Sequence, residues 1–367
     1  MQSKSLIGLT VVALAAAAAA MWLSVERDAP NERSTGEPLI PGLSEQLNEI
    51  TRVRVEDAGE DTAVTLVRQE DGWGVEERGG FPVDLAALRR QLIALGEATL
   101  AEAKTSDPER YDQLGVQDPD APGATSKRIE LTLPDGPVSI VVGKSNFRGL
   151  TTTYVRRSGE AQSWAATGNI GMDAAPVDWL RKDIIDIASP RVRRVELTHP
   201  DGDRVALLKE TRELPNHGVV NLPDGRELLS PSAGNSIASA LAALRLEDVR
   251  PMSEFDPGDA EPIRGVYETF DGLRIRTRAW QPGDDERYVA LQVEYDPALV
   301  IEKETDEDGS GETDAEPADP AADAAELQAR LDGWAFRIPS YKYSNMTKRL
   351  EDLLKPLEED QEEPGES

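Results

Sequence analysis

Two histidines, no cysteine and an abundance of carboxylates set the chemistry open to this 367-residue chain. His199 precedes Pro200-Asp201-Gly202, and His217 lies in Pro215-Asn216-His217-Gly218. Both read as turn residues. A histidine metal site or a catalytic triad needs both, with partners that spacing does not supply. The lack of cysteine excludes disulfides, thiolate metal sites, a cysteine nucleophile and a lipoprotein cysteine. Among the carboxylates, Asp178, Asp183 and Asp186 beside Trp179 form the most cleft-like group. A carboxylate-dependent hydrolase would need two of them at a set separation. Helix capping and solvated faces account for the same residues.

Two motif fragments fail on inspection. Asp306, Asp308, Ser310 and Gly311 imitate the start of a calcium loop, but the twelfth position is Pro317, where a bidentate Glu is required. Gly143-Lys144-Ser145 imitates the end of a phosphate loop, but the upstream glycine position is Val138 and the segment reads as a hairpin. Catalytic, cofactor and metal residues are therefore expected to be absent.

Two sets of binding residues remain. Arg191, Arg193 and Arg194 form the tight basic cluster, a docking spot for an acidic partner, with Arg191 and Arg193 on one strand face. Trp164, Trp179 and Trp280 are the candidate aromatics for a ligand held between subdomains. The net charge of −29 argues against nucleic acid and anionic headgroups as partners.

The elements that must position these residues follow from patterning. Residues 6–23 (LIGLTVVALAAAAAAMWL) carry no charge. As a helix they reach roughly 27 Å, enough to span a bilayer core. Lys4 precedes them and Glu26, Arg27 and Asp28 follow, which places the N-terminus in the cytoplasm and the remainder outside it. A signal peptide cut after Ala20 is the competing reading. The expected organisation is a transmembrane anchor at 1–25, a linker at 26–48, a first α+β repeat at 49–174 and a bridging helix at 175–189. A second repeat follows at 190–301, then a disordered acidic loop at 302–328, a strand and helix at 329–357 that complete the second repeat, and a disordered tail at 358–367.

Each repeat is expected to combine antiparallel hairpins with one main helix. In the first, Leu85, Leu88, Leu92 and Leu95 recur at helical spacing behind the N-cap candidate Asp84. The hairpins turn at Asp71-Gly72, Pro134-Asp135-Gly136 and Ser158-Gly159. In the second, the helix is expected at 232–249, with Leu241 and Leu244 on its inner face. The fold class is thus α+β with two related subdomains.

Several stretches also carry a resemblance. They are the apolar start, Asp71-Gly72-Trp73, Tyr111-Asp112-Gln113-Leu114-Gly115-Val116 before Asp118-Pro119, and Val142-Gly143-Lys144. Asp178-Trp179-Leu180-Arg181-Lys182-Asp183 and Gly333-Trp334-Ala335-Phe336-Arg337-Ile338-Pro339, running into Thr347-Lys348-Arg349-Leu350, complete the set. In this order they resemble the bacterial domain-of-unknown-function 4340 family of single-pass envelope proteins. His217-Gly218 stands where the second copy would carry a Trp. The resemblance implies an inner-membrane location, a periplasmic body, and an inner-membrane permease with its ATPase as partners. It thus implies a non-enzymatic accessory or scaffold subunit of an ABC-type transport system. A periplasmic binding module for a cell-envelope glycan or peptide is the alternative, and a carboxylate hydrolase the remote one.

Overall fold

The computed structural model describes residues 36–147, 151–301 and 319–356. The chain divides into two compact units, Met1–Trp179 and Leu180–Ser367. Each is built on one wide antiparallel sheet.

In the first unit the strands are β1 (Arg52–Asp57), β2 (Thr62–Gln69), β3 (Gly72–Val75), β4 (Phe81–Pro82) and β5 (Leu100–Ala103). They continue with β6 (Lys127–Leu133), β7 (Gly136–Asn146), β8 (Thr152–Arg157) and β9 (Ser163–Thr167). Their order in the sheet is β4-β3-β2-β1-β6-β7-β8-β9-β5. Strict alternation explains β1 and β6. Val53 and Val55, and Ile129, Leu131 and Leu133, all turn to one buried face. Each fully buried Leu or Ile of this kind contributes on the order of 2 kcal/mol. The helix Leu85–Glu97 is capped by Asp84, whose carboxylate accepts from Ala86 N and Ala87 N at 3.0 Å. Leu88, Leu92 and Leu95 are buried, while Leu85 is exposed.

The second unit has β10 (Asp183–Ile185), β11 (Val192–Thr198), β12 (Arg204–Leu208), β13 (Gly218–Val219) and β14 (Leu244–Arg245). Then come β15 (Asp248–Pro251), β16 (Ile263–Thr269), β17 (Leu273–Gly283), β18 (Glu286–Tyr295) and β19 (Trp334–Arg337). The large sheet runs β13-β12-β11-β16-β17-β18-β19-β15, and β10 pairs with β14 separately. The run β12-β11-β16-β17 repeats the connectivity of β2-β1-β6-β7.

The α+β expectation is corrected by this architecture. Among the described residues the fold is dominated by antiparallel sheet, and the main helix expected at 232–249 does not form. Only Asn235–Ala238 is α-helical there, with no side-chain N-cap. Leu241 and Leu244 are buried, but Ala243 adopts φ 43° and Leu244–Arg245 becomes strand β14. The apolar spacing marked core positions, and pairing with β10 outweighed a helix weakened by Ser, Asn and Gly. The bridging helix at 175–189 is likewise a 3-10 turn, Pro176–Trp179, followed by β10.

Part of the acidic loop is ordered helix. Pro320–Leu331 starts on Asp319, which accepts from Ala321 N and Ala322 N, and buries Ala324, Leu327 and Leu331. Its alanines and helical apolar spacing outweigh the acidic composition that surrounds it. The C-terminal helix expected within 329–357 is Ser340–Met346, followed by a 3-10 turn at Glu351–Leu353. Among the described residues no helix is long and apolar enough to cross a membrane. The transmembrane helix read from residues 6–23 lies outside the described residues. So do the calcium-loop imitation and the C-terminal tail.

The fold also explains why Gly143-Lys144 is not a phosphate loop. A Cβ at Gly143 would collide with the backbone carbonyls of Leu114 and Gly115. Lys144 Nζ donates to Asp112 O at 3.2 Å and Gln113 O at 3.1 Å, closing the helical turn Tyr111–Leu114. Arg156 adds Nε to Val116 O at 3.1 Å and an ion pair to Asp118 at 2.7 Å. Gly143→Ala is therefore expected to lower stability by about 1–3 kcal/mol, because backbone rather than a movable side chain blocks the methyl. Gly171→Ala, where the nearest atom is the Asn169 side-chain oxygen at 3.8 Å, should be near neutral. Urea midpoints of the two variants against wild type check this.

Candidate functional site

The open edge of the second large sheet gathers the chemistry of this chain. β12 pairs with β11 through Arg194↔Leu208 and Val195↔Leu207. It pairs with β13 through Leu207↔Val219 and Leu208↔Gly218. Continued by one residue, this register sets Arg193, Lys209 and His217 in one row across three strands. Lys209 N donates to Arg193 O at 2.8 Å, which holds the row at its centre. Val205 and Leu207 are fully buried, and Lys209 follows them at the two-residue strand period on the core face.

The row is unusual in its burial. Lys209 is 4% exposed and His217 is 2% exposed. Burial pushes the pKa of Lys209 down, with Glu213 opposing the fall and Arg212 adding to it. His217 Nε2 lies 2.8 Å from Val192 O. A carbonyl only accepts, so Nε2 carries the proton, and Nδ1 of the neutral ring is a lone pair without a partner. Burial lowers the His217 pKa, and its bond to Val192 O only partly opposes this.

Beside the row, on the sheet edge, lies a groove of about 570 Å³. Leu208, Leu214, Pro215, Val219, Val220 and Pro231 supply its apolar wall. Val220 is 64% exposed and Leu214 is 42% exposed. The groove therefore presents apolar surface to solvent at a short edge strand.

A family model described as Domain of unknown function (DUF4340) matches residues 73–264, from β3 to β16 and just over half of the chain. The chain belongs to this family. Comparisons with curated proteins and with solved structures return no match. The DUF4340 match includes the whole Arg193–Lys209–His217 row and the groove beside it.

Within this DUF4340 chain the three arginines proposed from sequence take different roles. Arg191 Nη2 pairs with Asp271 at 2.6 Å, and that carboxylate is 6% exposed. Burial raises the Asp271 pKa, but hydrogen bonds from Thr269 and Arg191 outweigh it and leave the pKa lowered. Arg193 sits at a bulge between Val192 and Arg194, and its Nε is buried without a partner. Arg194 is exposed, with Glu196 at 3.5 Å. Arg191 ends the 3-10 turn Ser189–Arg191 ahead of β11, so it does not share the strand face expected with Arg193. The tryptophans are buried in their own units. Trp164 is 7%, Trp179 3% and Trp280 4% exposed. Trp179 Nε1 donates to Asp173 O at 2.8 Å, and Trp280 stacks edge-on to Phe255 at 5.3 Å.

Two of the three carboxylates beside Trp179, Asp183 and Asp186, have structural partners. Asp183 pairs with Arg245 at 3.2 Å, and Asp186 accepts from Ala243 N at 2.7 Å. His199 and His217 do not converge. His199 follows the last residue of β11 and His217 bonds the first, about 20 Å apart along the strand.

Sequence reasoning missed Lys209 and two further features. A charged residue on the apolar period of Val205 and Leu207 was the available signal for Lys209. The groove had no linear signal, because its wall comes from three separate segments. The half-buried Trp73 also lines a cleft of about 360 Å³ with Arg68, Gln69, Glu70, Leu85 and Arg89. Arg68 stacks over its ring at 5.8 Å.

The His217 environment yields a pH prediction. Its folded pKa lies below the unfolded value, so the folded state binds fewer protons. The stability it contributes is complete above about pH 6.5 and is lost as the pH falls through the folded pKa. The wild-type urea midpoint should fall more between pH 7 and pH 5 than that of His217→Gln, which keeps a donor for Val192 O. Equal falls in the two proteins would contradict this assignment.

Proposed function

We propose that this chain is a non-enzymatic accessory subunit of an ABC-type transport system in the cell envelope. Its body stands outside the cytoplasm and associates with an inner-membrane permease and its ATPase. The observation that carries this reading is the exposed apolar groove at the edge of the second sheet. Exposed apolar surface at a strand edge suits docking of a partner chain. The uncharged run at 6–23 and its flanking charges support attachment at the inner membrane with the N-terminus in the cytoplasm. The earlier resemblance, not the family match, supplies the transporter as partner.

A second reading, a periplasmic module binding a cell-envelope glycan or peptide, draws its support from the Trp73 cleft. An aromatic ring beside Arg, Gln and Glu side chains suits a ligand with both apolar faces and hydroxyl or amide groups.

The test is affinity capture of the tagged full-length protein from mildly solubilised native membranes, read by mass spectrometry. Wild type should enrich a permease and its ATPase. The double variant Leu214→Glu/Val220→Glu should reduce that enrichment at least tenfold with an unchanged melting temperature, since both side chains are already exposed. Recovery of the wild-type protein alone would overturn the accessory-subunit reading and leave the glycan or peptide module, with Trp73→Ala as its test.

A further inference from the structure

We propose that His217 latches the segment 214–220 to the body of the second unit, and that protonation of its ring frees the segment and removes the apolar groove. Six of the nine residues that line the groove lie in this segment, on both sides of His217. The segment joins the sheet through the two residues of β13 and through Val220 N, which donates to Ala206 O at 2.8 Å. Its other ties gather around His217. The ring reaches Val192 O at 2.8 Å, and His217 N donates to Asn235 Oδ1 at 3.0 Å. Asn235 Nδ2 in turn donates to Asn216 Oδ1 at 2.7 Å. An edge segment held by so few bonds opens at lower cost than the sheet behind it.

The closed segment suits the neutral ring alone. Nε2 already carries a proton, so a second adds to Nδ1, which is buried and has no partner. That creates a buried charge and an unsatisfied donor together, and both are costly. The surrounding charges do not offset the cost. From β12, Lys209 repels a charged ring. Arg212, past the end of β12, is a further cation and lies over the Phe270 ring at 5.1 Å. From β11, Arg193 follows Val192 and is cationic as well. From the helical turn Asn235–Ala238, Asn235 is uncharged and Ser236 is held by Lys348. Glu210 and Glu213 are exposed. Within 214–220, His217 is the sole titratable side chain.

In the open segment the ring meets water, where it titrates at about pH 6.5 and its charge is solvated. Burial keeps the closed-state pKa lower, with Val192 O and Asn235 opposing the fall and Lys209 adding to it. The closed form is therefore fully favoured above about pH 6.5 and loses that advantage as the pH falls through the closed-state pKa. Release of a partner in acid rests on the accessory-subunit reading of the groove, whereas opening of the segment does not.

Amide hydrogen exchange of the full-length protein at pH 7 and pH 5 tests this, read by mass spectrometry and corrected for the intrinsic pH dependence of exchange. Wild-type peptides containing the amides of His217 and Val220 should lose protection roughly tenfold at pH 5, while β16 to β18 keep theirs. His217→Gln, which cannot titrate, should show equal protection at the two pH values. His199→Gln should keep the wild-type loss. It also leaves His217 as the sole histidine ring, so the midpoint of that ring's nuclear magnetic resonance titration should match the midpoint of opening. That match serves if His217→Gln fails to fold by circular dichroism. No loss in wild type, an equal loss in His217→Gln, or midpoints that differ overturns the latch. Affinity capture at the same two pH values tests the release. Enrichment of a permease at pH 7 that falls at pH 5 in wild type, but not in His217→Gln, supports it. Equal enrichment at both pH values despite lost protection overturns the release. Lost protection with no permease captured at either pH overturns the accessory-subunit reading and leaves the latch standing.

Discussion

Two strands, β1 and β11, must be satisfied on both edges and on their core face at once. Each pairs with an antiparallel neighbour on either side, so its backbone groups are used in both directions. That double pairing sets the register of β2 and β6 in the first unit, and of β12 and β16 in the second. Register in turn decides which side chains are buried, because a slip of one residue would exchange the faces. The core of each sheet and the row at its edge are both consequences of this constraint.

The constraint weakens toward the strand ends, and the chemistry collects there. β13 holds only two residues, so the sheet stops abruptly. Asn235 and Asn221 take over from a further strand. Asn235 accepts from His217 N at 3.0 Å, and Asn221 accepts from Ala206 N at 2.9 Å. These side-chain bonds blunt an edge that would otherwise pair with other chains. They leave the apolar groove open beside it, and they leave the buried Lys209 beside the half-buried Arg193 at the point where the core tapers. A bulge between Val192 and Arg194 interrupts the β11–β16 register at Arg193, near the strand's start.

The stretches that carry the family resemblance have a physical reading as well. Tyr111–Val116 and Val142–Lys144 are distant in sequence but meet in the first unit. Gly143 permits the close approach, and Lys144 with Arg156 satisfies the carbonyls that the approach brings together. Tyr111 OH reaches Ala161 O, and the Arg156 guanidinium lies 4.9 Å from its ring centre. These contacts hold the fold of the first unit together.

Local pattern alone determined much of this protein. Alternation in 52–57 and 127–133, the turns at Asp71-Gly72 and Pro134-Asp135-Gly136, and the capped helix behind Asp84 were legible because each depends on neighbours within a few residues. The family was legible for the same reason, as an order of short motifs. Tertiary structure decided the rest. Leu241 and Leu244 are buried whether their segment is helix or strand, so their spacing could not choose between the two. The helix Pro320–Leu331 was hidden by acidic composition, because its stability comes from burying Ala324, Leu327 and Leu331 against the rest of the unit. Lys209 looked like one charge among many, and only strand pairing, which joins residues distant in sequence, set it between Arg193 and His217 inside the core.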